Sequence, residues 1–332
     1  MRKIFTEKTL SIEDLSYLSK LLETDLSLNE CFILLKSSRN EKIFSEIRKK
    51  LDEGSLIEKV IQDYLPKQIR PYVVSLLNSL SFASSLSISL RFCRNNEEDK
   101  RRLMNSLAYP LILLFISITS LYLFDLYGID SIFALIGTFH ADLGIYKDMR
   151  LLFRIFVKAF YYGVLILFAI LIAFSRPGRI AFLYIFLSRH FPNSFLSIFY
   201  SEEFMSLLLI CMEHGYSTRE SLSILKAMKS KPIVSLLAFR MDESLMEGRT
   251  LKEAATDRFY DSSLARFIKI ANHTNDFSSV IESYIFLAKE KIAVRMRAYS
   301  LTIQILTYLF IGAVVIFIYQ ILFMPMQAIS SF

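Results

Sequence analysis

Two stretches of this chain, 190 residues apart, carry the same pattern, and each is followed at similar distance by a segment long and apolar enough to cross a membrane. Glu13 to Leu18 lies over Glu203 to Leu208, and Glu23 to Lys36 lies over Glu213 to Lys226. Ser16, Leu18, Glu23, Ser27, Glu30, Leu35 and Lys36 all recur at that offset, and Ala108-Tyr109 lies over Ala298-Tyr299. Such a chain has to build one soluble-plus-membrane unit twice.

Composition agrees with two environments. A mean hydropathy of +0.40 is far above a soluble norm, while 21% charged residues are too many for a wholly membranous chain. With 9 Gly and 7 Pro in 332 residues, long runs of 3.6-residue apolar periodicity and no alternating strand pattern, the chain reads as all-α. Cys31, Cys93 and Cys211 lie on apolar faces without metal-ligand spacing, which predicts buried, reduced thiols.

Three spans are expected, at 106–126, 151–175 and 299–324. The second carries Arg154 and Lys158 near its start, where long side chains reach the headgroups. Lys100, Arg101 and Arg102 precede the first span, Arg176 and Arg179 follow the second, and Lys289, Lys291, Arg295 and Arg297 precede the third. Basic flanks mark the cytoplasmic side. The expected order is a cytoplasmic repeat at 1–105, an outer loop at 127–150, a second cytoplasmic repeat at 176–298 and an outer tail at 325–332. Met1 to Leu10 is too short and too charged for a cleavable signal. The net charge of +7 reads as topology signal and attraction to anionic headgroups, and direct nucleic-acid binding is not expected because acids are interspersed.

Each repeat is predicted to be a bundle of about six helices, the last running into a span. Ser27 to Glu30 and Ser217 to Glu220 are S-x-x-E capping boxes, and Gly215 suits the left-handed end of the preceding helix, a job Asp25 does less well. Further boxes are read at Ser55 to Glu58 after Gly54 and at Thr250 to Glu253 after Gly248. There the offset grows to 194 or 195, so the third helix of the second repeat should be longer. Gln304 and Gln320 are candidates for hydrogen bonds between spans, at about 0.6 to 2 kcal/mol each.

No phosphate loop, HExxH or GxSxG is present, and His140, His190, His214 and His273 are scattered singly. Asp125 and Asp130 lie at the outer end of the first span rather than as an intramembrane pair. No catalytic, cofactor or metal site is expected. A run of Arg48, Lys49 and Lys50 is a candidate partner contact, although such runs usually mark a solvated helix face.

These residues resemble the platform protein family of type II secretion and type IV pilus machines, also found in the competence pseudopilus of Gram-positive bacteria. The likeness runs from about Glu13 to Pro325. Leu22 to Phe32 and Met212 to Leu222 echo an L-x-x-G-x-x-x-x-x-A-L motif, Gly54-Ser55-Leu56 and Gly248-Arg249-Thr250-Leu251 a G-x-[ST]-L turn. Ala108-Tyr109-Pro110-Leu111 is the family's A-Y-P-L, and Leu322 to Pro325 is similar to its L-x-x-P ending. The Gly-Glu of a further family signature is missing at Leu80 to Leu86 and at Ala271 to Phe277. The short segment before the first repeat is closest in layout to the competence-type member.

The resemblance implies a homo-oligomeric platform in the cytoplasmic membrane, contacting a hexameric assembly ATPase and passing pilin or pseudopilin subunits into a filament. The alternatives are a small transporter or channel subunit, which would want charged or broken helices at mid-bilayer, and a non-catalytic membrane scaffold of another secretion system.

Overall fold

The computed structural model describes residues 9–24, 26–36, 40–77, 79–131, 134, 144–174, 177–191, 194–271 and 276–330. Among them every regular element is helical. The first half holds α1 (Ile12–Leu22), α2 (Leu28–Leu34), α3 (Glu41–Asp52), α4 (Ile57–Val60), α5 (Arg70–Leu76) and α6 (Phe82–Leu123), with a 3-10 turn at Ile61–Asp63. The second holds α7 (Gly144–Phe174), α8 (Pro177–His190), α9 (Phe195–Glu213), α10 (Thr218–Lys226), α11 (Pro232–Met246), α12 (Leu251–Ala254), α13 (Leu264–Ala271) and α14 (Phe277–Ser330).

Capping chemistry sets many of these boundaries. Ser27, Ser217 and Thr250 each accept from the third helical amide, while Glu30, Glu220 and Glu253 accept from the capping amide at 2.9, 2.8 and 2.7 Å. A fourth box, Ser11 with Asp14, opens α1. The expected Ser55 box does not form. Leu56 takes the extended N-cap conformation and α4 starts at Ile57, so the Ser55 hydroxyl sits one residue too early to cap it.

Helix ends are equally specific. Gly54, Gly215 and Gly248 have φ of 85°, 86° and 81°. After each, the next amide reaches back five residues: Ser55 to Lys50, Tyr216 to Cys211 and Arg249 to Ser244. This is the Schellman closure, whose left-handed residue is cheap only for glycine. Asp25 lies outside the described residues. Helix α3 has 12 residues and α11 has 15, which absorbs most of the shift in offset.

The chain divides into two compact units. The first contains residues 1–100 and 180–292 and has two apolar cores. One is closed by Leu15, Leu18, Cys31, Phe32, Phe44, Ile47 and Leu86. The other is centred on α9, with 12 of its 19 residues buried, and takes in Tyr72, Leu76, Ile88 and Phe92 from the first half. All three cysteines are buried and free.

The second unit contains residues 101–179 and 293–332. Leu121, Ile129, Val157 and Val314 bring α6, α7 and α14 together, and Phe310 stacks on Phe160 with ring centroids 3.6 Å apart. A π-helical turn, Phe124–Gly128, follows α6, and a Cβ on Gly128 would meet the Phe124 ring at 2.5 Å.

Three described helices are long and apolar enough to cross a membrane: Ala108–Ser131, Phe195–Glu213 and Phe277–Gln320. Phe195–Glu213 is a core helix instead. Two thirds of its apolar window is buried within the protein, and it holds Glu202 and Glu203 there, whereas the other two bury 17% and 12%. The expected spans fall on α6, α7 and α14; α7 exposes Leu151, Leu152, Ile155, Leu165 and Ile166. At 54 residues, or about 81 Å, α14 is far too long for a bilayer core alone. It runs through Pro325 to Ser330, beyond the expected end of the span, and α6 likewise runs through Pro110. Of the expected outer loop, 132–133 and 135–143 lie outside the described residues, as do Arg176, His140 and the tail's 331–332.

Candidate functional site

Within the first unit, charged and polar side chains from the two halves of the sequence meet along a seam. Glu23 caps the end of α1 and Glu213 is the last residue of α9, the two positions that the repeat offset relates. Both reach α6. Ser87 donates to Glu23 at 2.8 Å and lies 3.0 Å from His214 Nε2, and one turn further Arg91 pairs with Glu213 at 2.5 Å. His214 is oriented by its Nδ1, 2.7 Å from the Ile210 carbonyl oxygen.

Deeper in the seam, Lys231 pairs with Glu203, with side chains only 19% and 13% exposed, and its Nζ lies 5.8 Å from the Tyr72 ring centroid. Burial works against the ammonium, yet the Glu203 carboxylate and the Tyr72 hydroxyl outweigh it and raise its pKa. Burial also raises the Tyr72 hydroxyl. Neighbouring Glu202 accepts from Ser206 at 2.7 Å and faces Lys289 at 3.5 Å. Buried charges survive when paired and hydrogen-bonded. These contacts couple α5, α6, α9, α11 and α14 as a structural lock.

In the second unit, Arg154 does more than reach for headgroups. Its Nη2 bonds both Asp130 oxygens at 3.1 and 3.2 Å, and its Nε lies 3.4 Å from Asp125. The π-turn aims Asp125, 8% exposed, at this cation. Tyr109 meets Tyr308 hydroxyl to hydroxyl at 3.2 Å, while Tyr299 is half exposed. Gln304 bonds Ser300 of its own helix rather than another span, and Gln320 is exposed.

The basic run on α3 is divided. Arg48 and Lys49 are exposed, whereas Lys50 lies over the Tyr64 ring at 5.2 Å, and its pKa is raised chiefly by the hydrogen bond with that hydroxyl. Among the described residues no group of three or more His, Cys, Asp or Glu is placed to hold a metal ion. Sequence reasoning missed Lys231, Arg91, Ser87 and the Arg154 pairing. One signal was available: Glu202-Glu203 interrupts a 19-residue helix whose one other charge is Glu213 at its end, and buried acids demand cations.

A helical unit whose halves are joined by the Arg91–Glu213 ion pair and by polar contacts, with two helices continuing into an apolar helical unit, has the layout of a multi-pass membrane protein. The family of type II secretion system (T2SS) protein F matches residues 15–127 and 204–325, and the chain belongs to that family. It is thus a membrane platform of the type II secretion or type IV pilus kind. The comparison with curated proteins gives no match.

Proposed function

We propose that this chain is the cytoplasmic-membrane platform of a type IV filament machine, serving a competence pseudopilus, a type IV pilus or a type II secretion pseudopilus. Both soluble repeats face the cytoplasm, with spans at 106–126, 151–175 and 299–324. A hexameric assembly ATPase docks on the repeats, and pilin or pseudopilin subunits pass along the spans of a homo-oligomer. The protein itself has no catalytic role.

The observation that supports this reading most is the family match over two segments. In both, one helix, α6 or α14, runs unbroken from the charged, packed unit into the apolar one. A helix without a break carries rotation or displacement along its axis.

Deleting the gene should abolish filament assembly while pilin synthesis continues, and normal filaments in the deletion strain would remove the hypothesis. Affinity capture of the full chain from membranes should recover a hexameric ATPase and small filament subunits. Charge reversal at Arg48 and Lys49, whose side chains are exposed, should reduce ATPase recovery without changing thermal stability.

A further inference from the structure

Three arginines face a cavity of about 370 Å³ in the first unit, lined by Ile185 and Arg189 of α8, Arg240 of α11, and Asp257, Arg258 and Phe259. Only Arg240 is committed. It lies 4.0 Å over the Phe259 ring, and its Nη1 is 3.4 Å from Asp257. Its Nε is buried and has no hydrogen-bond partner among the described residues. Arg189 and Arg258 are exposed, and no ion pair is found for either among the described residues. With a single carboxylate against three guanidiniums, the cavity carries two uncompensated positive charges and an unused buried donor. Guanidinium forks lining one cleft suit the oxygens of a phosphate group.

The wall beside the cavity narrows the ligand further. Phe182, Ile185 and Phe186 recur on α8 at the spacing of one helical face and are 70%, 40% and 51% exposed. The same helix is fixed underneath by fully buried Tyr184, whose hydroxyl donates to the Phe259 carbonyl, so the aromatic row and the arginines hold one geometry. Only two residues, 175 and 176, separate α8 from the long apolar α7. A helix that leaves an aromatic face exposed beside uncompensated basic groups suits the surface of an anionic bilayer. The ring that lines the cavity itself, Phe259, is buried and covered by Arg240, so the cavity offers a nucleobase no stacking face of its own.

We infer that this cavity binds the headgroup phosphate of an anionic phospholipid, with Arg189, Arg240 and Arg258 on the phosphate oxygens and Phe182 and Phe186 against the acyl chains. The inference rests on the proposed reading in which α7 crosses the bilayer and α8 emerges at its cytoplasmic face. The lipid pins α8 to the inner leaflet and fixes the soluble unit where a partner meets it.

The test uses the full chain in neutral detergent, titrated with short-chain phosphatidylglycerol, short-chain phosphatidylcholine or inorganic phosphate, and read by native mass spectrometry and thermal midpoint. Phosphatidylglycerol should bind and raise the midpoint. The R189Q/R258Q variant should weaken it about thirtyfold, from roughly fivefold per basic side chain near a lipid surface. F182S/F186S should weaken phosphatidylglycerol and leave inorganic phosphate unchanged. Equal binding of phosphatidylcholine, or phosphatidylglycerol affinity unchanged in R189Q/R258Q, overturns the site; inorganic phosphate binding as tightly as phosphatidylglycerol overturns the lipid assignment. Labelling of Arg189→Cys in intact cells separates the underlying reading: an outside position sinks the topology, whereas lipid binding in detergent stands or falls by itself.

Discussion

Replacing Lys231 with methionine tests the seam most directly. The side chain keeps its length while losing the charge, so no cavity is created and the effect reports what the ammonium does for Glu203 and Tyr72. Glu203, 13% exposed, is then left without its cation. Removing one partner of a buried pair costs about 3 to 5 kcal/mol, while replacing both by apolar groups is near neutral. At about 2 to 4 °C per kcal/mol for a domain of this size, the midpoint should fall by roughly 6 to 20 °C in K231M and return close to wild type in K231M/E203L. Helical circular dichroism of the full chain in detergent is the assay, because a chain with no Trp offers only weak intrinsic fluorescence. The pH dependence follows with its sign. The Lys231 pKa is raised on folding from an ordinary 10.5, so its contribution is fully present below that value and lost as pH rises through the folded value. The gap between wild type and K231M should therefore stay constant through neutral pH and close only above about pH 10.5. A K231M midpoint within 2 °C of wild type, or a double variant less stable than either single one, would refute the lock.

Three further outcomes follow from the caps and the thiols. Ser217→Ala should cost about 1 kcal/mol and Ser55→Ala close to nothing, because only Ser217 caps a helix. Glu220 has its pKa lowered by hydrogen bonds from the Ser217 amide and hydroxyl, so its contribution is present above pH 4.5 and lost as pH falls below it; the S217A deficit should shrink in acid. Gly248→Ala should cost about 1 to 2 kcal/mol through backbone strain alone, since nothing lies within 4 Å of the added Cβ, and Gly248→Asn should cost less. For topology, Ser131→Cys should react with an impermeant maleimide in intact cells, whereas the exposed positions Ser55→Cys and Lys252→Cys should react only after lysis. The native background should be low, as burial pushes the Cys211 thiol up to about 12, and reaction at Lys252→Cys in intact cells would overturn the orientation.

Local chemistry was legible in the sequence wherever a residue's role is fixed by its near neighbours. Ser27, Ser217 and Thr250 announce helix starts because their partner is three residues away, and Gly54, Gly215 and Gly248 announce ends because only glycine is at ease with φ near +85°. Ser55 failed by one residue, since the same four letters fit a box whether or not the helix begins on time. The seam was not legible, because it depends on which turn of α6 faces which helix end. Ser87 and Arg91 look like ordinary helix residues until Glu23 and Glu213 arrive beside them from 64 and 122 positions away. Yet the repeat offset contained half of that answer. Two glutamates at equivalent places in a duplicated sequence pattern both fall at helix ends, and both must be satisfied if those ends are brought into the same unit. Here one helix serves both, with a hydroxyl for the first and a guanidinium for the second, four residues apart. Because α6 continues past residue 100 into the apolar unit, both helix ends rest on an element that the two units share.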